Sequence, residues 1–395
     1  MSAVSIVLGV AIVLLALPAI LSCAYLLAAT LFSARLRAPL LSRRDARFDV
    51  IVPAHDEAAV IARTVANLRR LKWPQDRFRV LVVADNCSDA TAAIAREAGA
   101  IVLLRSSEGQ RGKGYALAHA FEKSALDGLA DAVVVIDADA EASENLLEAF
   151  AARLAQGACA VQAHYGVRNP MASWRTRLIT IAMAAFHIVR SRARERLGLS
   201  CGIRGNGWCV THELLRRVPY RAFSLAEDLE YGIDLGLAGF RVAYTDEAHS
   251  YADMVSGEQI ARTQRQRWES GRFQLVRSKT LPLLRAAIAR RSAVCLDLAL
   301  DLLVLPLSYV ALNVAALLLV AVVAAWLDPS LRMSAWLGVG CALALLCYVL
   351  RGWRLSGVGL RGLIDLARAP GFLLWKLMLM ARGNKSAEWV RTDRE

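Results

Sequence analysis

The eight cysteines, Cys23, Cys87, Cys159, Cys201, Cys209, Cys295, Cys341 and Cys347, nowhere fall at the paired spacing of a metal site. That excludes a cysteine-ligated zinc module and leaves free thiols, as a cytosolic domain keeps them. No internal repeat and no low-complexity linker interrupts the chain, which excludes a repeat array. A GxxxxGK[ST] phosphate loop is also missing, because Lys113 stands in Gly112-Lys113-Gly114 without that spacing. No recognisable nucleic-acid motif accompanies the net charge of +13. Charge itself is absent from one long stretch, Val4 to Ala34, which contains no charged residue.

That stretch exceeds the ~20 helical residues needed to cross a hydrocarbon layer. Met1-Ser2-Ala3 supplies no charged n-region, so the segment reads as an uncleaved anchor rather than a signal peptide. Arg35, Arg37, Arg43, Arg44 and Arg47 follow it and place that flank in the cytoplasm. Two further apolar blocks lie at about Leu302 to Leu327 and Met333 to Leu350, joined by Asp328-Pro329-Ser330-Leu331-Arg332 and closed by Arg351 and Arg354. Phe372 to Met380 is short and carries Lys376, which suits an interfacial helix. With 395 residues, 56% of them apolar, and a mean hydropathy of +0.38, the chain reads as an integral membrane protein with a large soluble insert. The arginines cluster at 35–47, 272–291 and 351–368, beside these segments, so the positive charge points to a lipid surface rather than nucleic acid.

Between Arg47 and about Arg290, short apolar runs alternate with helical stretches, the pattern of βαβ units around a parallel sheet. Strands are expected at Phe48 to Pro53, Val80 to Ala84, Ile101 to Leu104 and Val133 to Ile136. Open α/β sheets bind ligands beyond the carboxyl ends of their strands. Asp56, Asp85, Lys113 and Asp139 should therefore converge. Ala172 to Leu199 mixes apolar residues with arginines and reads as a basic amphipathic helix for a membrane surface.

Three stations carry chemistry. Asp137-Ala138-Asp139 closes the strand Val133 to Ile136, where two carboxylates either cap a turn or hold a divalent cation that neutralises a leaving diphosphate. Asp228, in Ala226-Glu227-Asp228, opens a helix, where a carboxylate serves either the helix dipole or general-base catalysis on an acceptor hydroxyl. Gln264-Arg265-Gln266-Arg267-Trp268 offers an amide, a guanidinium for diphosphate and an indole face for a sugar, or else a basic helix lying on a membrane. Gly205-Asn206-Gly207 allows backbone approach to a ligand or makes a plain turn. His249 follows the expected strand Arg241 to Tyr244 as a surface histidine or an added metal ligand.

The order of Val52-Pro53-Ala54-His55-Asp56-Glu57, Asp85 in Ala84-Asp85-Asn86-Cys87-Ser88-Asp89, Asp137-Ala138-Asp139, Glu227-Asp228 and Gln264 through Trp268 resembles the processive-type family 2 glycosyltransferases. These are the inverting enzymes that include cellulose, chitin, hyaluronan and poly-N-acetylglucosamine synthases. The resemblance spans about Val50 to Phe273. It implies an α/β fold: a GT-A (Rossmann-like) cytosolic domain with a mixed, mainly parallel sheet, flanked by transmembrane and interfacial helices. The implied domains are a transmembrane helix at 1–34, the transferase domain at 47–290, two transmembrane helices within 296–354, and an interfacial helix and tail at 361–395.

By the same resemblance, Asp228 is the catalytic base and Asp139 binds Mg2+ or Mn2+. Asp85 recognises the base, Asp137 lies near the ribose and diphosphate, and Lys113 supports the nucleotide. Gln264, Arg267 and Trp268 hold the diphosphate and the acceptor sugar, and Asp56 and Glu227 complete the substrate-binding set. The implied partners are a UDP-sugar donor, a glycan or lipid-linked acceptor and membrane lipids. Nucleic acid is not among them, and a homo-oligomer or export partner is left open. The implied location is a bacterial-type inner membrane with the catalytic domain cytoplasmic. Ala226 departs from the Thr or Ser usual before Glu-Asp, and Asp56 from the usual Asn or Arg. The resemblance implies polysaccharide synthesis first, with a single transfer to a membrane lipid, as in ceramide glucosyltransferase, as the alternative. An inactive nucleotide-sugar-binding scaffold remains open.

Overall fold

The computed structural model describes residues 3–40, 43–254, 258–368 and 370–371, with backbone alone for 3–5 and 258–265. The elements in chain order begin with α1 (Ala3–Leu31), β1 (Phe48–Ala54), α2 (Ile61–Leu68), β2 (Phe78–Asp85), α3 (Thr91–Glu97), β3 (Ile101–Arg105), α4 (Lys113–Asp127), β4 (Ala132–Val135), β5 (Ala140–Ala142) and α5 (Leu146–Ala155). Then come β6 (Ala160–Val167), α6 (Trp174–Ala184), a π-helical turn (Ala185–Val189), α7 (Arg190–Arg196), β7 (Trp208–Thr211), α8 (His212–Arg217), α9 (Glu227–Leu237) and β8 (Ala243–Ala252). The helices α10 (Glu258–Arg290), α11 (Ala293–Leu303), α12 (Leu307–Leu327), α13 (Arg332–Ser356) and α14 (Gly359–Leu366) follow. The expected helix at Phe372 to Met380 and the tail beyond it lie outside the described residues.

Two compact units emerge. One comprises the described residues of 35–169 and 194–298. Its single sheet has the order β3-β2-β1-β4-β7-β6-β8-β5. β3, β2, β1 and β4 run parallel, β7 is antiparallel to β4 and β6, β8 is parallel to β6, and β5 is antiparallel to β8. The sheet is thus mixed and mainly parallel, as expected. Both faces are covered, which is why β1 carries the apolar run Val50-Ile51-Val52 at its centre. Val50 and Val52 face the core with α2 and α5, and Ile51 faces the core with α4, Trp208 and Tyr231. The carboxyl ends of β1, β2, β3 and β4 deliver Asp56, Asp85, Arg105 and Asp137 to one edge of the sheet. α2 braces the turn after β4, because Thr64 Oγ1 donates to Ala138 O (2.6 Å) and Asn67 pairs with both backbone groups of Ala142 (2.8 and 3.1 Å).

The other unit comprises the described residues of 1–34, 170–193 and from 299 onward. Three of its helical stretches, Ile6–Leu31, Leu307–Leu327 and Pro329–Ser356, are long and apolar enough to cross a membrane. The second starts at Leu307 rather than Leu302, because Pro306 occupies its N-cap and cannot donate a backbone hydrogen bond. α1, α12 and α13 pack on one another around Ala19, Cys23, Leu26, Val314 and Leu317.

The stretch read as a surface-lying basic helix, Ala172 to Leu199, takes a different form. A π-turn interrupts it, and its key arginines are interior. Arg190 pairs with Asp301 (2.9 Å) and donates to Tyr348 Oη (3.0 Å), while in the sheet-bearing unit Arg194 pairs with Asp297 (2.8 Å). Buried arginines need such partners, and the acids come from a segment more than a hundred residues away in sequence.

Candidate active site

A polar cluster surrounds Lys113, the first residue of α4. Its Nζ lies 2.6 Å from Asp137 Oδ1 and 3.8 Å from Glu227 Oε1, and donates to Gly205 O at 2.6 Å. Only a quarter of this side chain is exposed. Burial alone would favour the neutral amine, yet Asp137 and Glu227 outweigh it and raise the Lys113 pKa. Asp228 joins from the first turn of α9: a Cβ built on Gly205 would stand 3.4 Å from its Oδ2. Burial pushes Glu227 up to about 7, against the pull of Lys113 and with reinforcement from Asp228. Asp228 is also raised, by burial first, with Lys113 again opposing.

Asp139 and Arg267 face the same space. Burial raises the phenol of Tyr165 on β6 well above its usual pKa, Asp137, Asp139 and Asp228 push it further, and Arg267 pulls it back. Tyr165 was not singled out in the sequence, because an aromatic on a strand carries no motif. The facing carboxylates are all oxygen donors, the set a hard divalent cation takes. Among the described residues, the one group of ligand atoms within 4.8 Å of each other is elsewhere, at Asp56, Cys87 and Asp89. Its carboxylates already serve the loop: Asp56 Oδ1 accepts from Ser88 N (2.6 Å) and Asp89 N (3.2 Å), and Asp89 Oδ1 accepts from Thr91 N (2.9 Å). Burial works against the Asp56 charge, but these donors hold its pKa below the usual range. Asp56 thus braces the loop that presents Asp85.

Asp85 is buried and not bare. Arg105, at the end of β3, reaches its Oδ1 at 2.5 Å and is itself held by Gln110 O at 2.8 Å. The Arg105 guanidinium lies 5.7 Å from the Tyr115 ring centroid, and Tyr115 stacks on Phe223 at 4.4 Å and 10°. This wall runs from Asp85 toward the Lys113 cluster. Close packing sets it, since a Cβ on Gly114 would fall 2.4 Å from Ala222 O.

The third station is partly placed. Gln264 is on α10, but its side chain lies outside the described residues. Trp268 is 40% exposed. One turn later, Gly271 meets the Ala226 turn so closely that a Cβ there would stand 2.9 Å from Ala226 Cβ. The departure to Ala226 thus coincides with a tight crossing that leaves little room for a larger side chain. His249 belongs to another face. Tyr165 pairs across with Ser250, and strand pleating turns His249 and Tyr251 the opposite way. His249 instead lines a cavity of about 470 Å3 with Asn67, Glu141 and Tyr251.

A family profile described as glycosyltransferase like family 2 matches residues 46–271, more than half of the chain. The chain belongs to this family. Among curated relatives, the "Probable glycosyltransferase YdaM" of Bacillus subtilis is 26% identical over 234 residues, 57% of this chain and 55% of that protein. The beta-monoglucosyldiacylglycerol synthase of Trichormus variabilis is 28% identical over 232 residues, 57% of this chain and 48% of that protein. The chain spans about half the length of these relatives. A mannosyltransferase from Pyrobaculum calidifontis, solved with GDP-mannose and Mn2+, superposes with a TM-score of 0.51 at 20% identity. That match covers 87% of this chain and 97% of the other, and it bears on the fold.

Proposed function

We propose that this family 2 chain is a membrane-bound inverting glycosyltransferase that moves a sugar from a nucleotide-diphosphate donor, a UDP-sugar, to a hydroxyl acceptor held at the membrane. The observation that carries this reading is the convergence of Lys113, Asp137, Glu227 and the Gly205 turn against Asp228. Asp228 takes the proton of the acceptor hydroxyl as that oxygen attacks the anomeric carbon and the carbon–diphosphate bond breaks on the opposite face. Burial raises its pKa above the ordinary aspartate value, which makes the ionised carboxylate a stronger base. Lys113 and Arg267 supply fixed positive charge, while Asp85, set by Arg105, meets the base of the nucleotide. Asp139 would hold Mg2+ or Mn2+, which supplies charge neutralisation at the leaving diphosphate, with Asp137 beside the ribose and diphosphate.

The acceptor divides two readings. The resemblance to polymer synthases favours a growing glycan. Three apolar helices and the likeness to a beta-monoglucosyldiacylglycerol synthase favour a single transfer to a membrane lipid, and we place lipid first. Purified protein in lipid vesicles, screened with UDP- and GDP-sugars for nucleotide release with and without chelator, tests the donor and the metal. Release from no donor would end the reading. One added sugar per lipid supports single transfer, and a product ladder supports polymerisation.

A further inference from the structure

Gln162, on β6, belongs to no motif and is 1% exposed. Its single amide is spent on one loop. Nε2 donates to Asn206 O (2.7 Å) and Gly207 O (3.1 Å), as well as to Ala163 O (2.9 Å), and Oε1 accepts from Arg204 N (2.9 Å). The loop it ties, Arg204 to Gly207, has positive φ at Gly205 (84°) and Gly207 (70°). Both glycines are needed, since a Cβ on Gly207 would fall 2.9 Å from Ser250 Cβ, and non-glycine residues rarely adopt such φ values. A loop of this shape keeps its form through the bonds that hold it.

The same loop meets three members of the cluster described above, Lys113, Asp137 and Asp228. Gly205 O receives Lys113 Nζ, and Gly205 Cα lies against the Asp228 carboxylate. Asn206 Oδ1 receives Asp137 N at 3.1 Å. The loop is therefore the part that spaces the carboxylate turn after β4 from the base on α9.

We infer that Gln162 and Asn206 are positioning residues for the transfer step: Gln162 fixes the Arg204–Gly207 loop, and through it the separation of Asp137, Lys113 and Asp228. Their side-chain hydrogen bonds run to the loop, to Ala163 O and to Asp137 N. A misplacement of about 1 Å at reacting groups costs ~10²-fold in rate. The nucleotide end of the site, Asp85 with Arg105, makes no contact with this loop in its hydrogen bonds and should be spared.

This inference rests on the transferase reading. Two variants test it: Gln162→Leu, which keeps volume and removes all four bonds, and Asn206→Ala. The Asn206 amide nitrogen is buried with no hydrogen-bond partner among the described residues, so the alanine variant removes only the Asp137 bond and serves if Gln162→Leu fails to fold. The readouts are kcat, donor KM, uridine affinity by competition and the melting temperature. The expected result is a kcat reduced ~100-fold for Gln162→Leu and ~10-fold for Asn206→Ala, with uridine affinity within about 2-fold of the parent. Folded variants with parental kcat overturn the inference. So do variants in which kcat, uridine affinity and melting temperature fall together, which marks general damage. A parent protein that neither binds UDP nor turns over fails the transferase reading itself, a separate outcome.

Discussion

Replacing Lys113 by methionine removes the ammonium that joins two of the three stations while keeping an unbranched stem. Its Nζ stands 2.6 Å from Asp137 and 3.8 Å from Glu227, and Asp228 also feels it. A unit charge pair at about 4 Å and an effective dielectric of about 20 is worth ~4 kcal/mol. With water reaching a quarter of the side chain, the net effect is smaller. An opposite charge at this range shifts a carboxylate by about 1 to 3 pH units. The sign follows from the base's task. Lys113 lowers the pKa values of Glu227 and Asp228, which burial has raised, so its loss sends both higher. Asp228 must be ionised to accept a proton, and activity disappears as pH falls through the raised pKa. The acid limb of the kcat/KM profile should therefore move to higher pH in Lys113→Met and stay near the parent in Lys113→Arg. The assay is nucleotide release across pH, with thermal melts to confirm folding. A folded Lys113→Met protein with the parental acid limb would refute the argument.

Three other perturbations report on separate links. Arg105→Ala strips Asp85 of its buried partner and should raise the donor KM while lowering stability by about 3 kcal/mol, read from UDP-sugar titrations and denaturant melts. Gly271→Ala drives a methyl into Ala226 and should displace α10 from the Glu227-Asp228 turn, lowering kcat by ~10-fold or more; parental kcat would show that the crossing is slack. Arg190→Gln breaks an interior pair with Asp301 and should cost about 3–5 kcal/mol in detergent melts without altering UDP affinity, and an unchanged melt contradicts the burial argument.

The strands were legible because a sheet covered on both faces demands continuous apolar runs, as Val50 to Val52 and Val133 to Ile136 supply. The family was legible because Asp85, Asp137, Asp139, Asp228 and Trp268 keep their order along the chain. Their partners were not. Arg105 meets Asp85 across twenty residues, and Gln162 meets Asn206 across forty-four, and no local spacing encodes such contacts. Arginine-rich stretches are ambiguous in the same way. Arg190 and Arg194 carry a basic helix pattern, yet distant aspartates in 297–301 draw them inside. Asp56 shows the reverse case, an acid beside a motif whose carboxylate is taken up by Ser88 and Asp89 N–H groups.

The central claim is that Asp228 is the base of a sugar transfer. Its direct test is the transfer rate of the Asp228→Asn protein at saturating UDP-sugar and Mn2+, beside the parent, with UDP affinity and melting temperature measured on the same samples. The account predicts that the variant folds, binds UDP as the parent does and transfers no sugar above background. A folded Asp228→Asn protein that transfers sugar at the parental rate would contradict it.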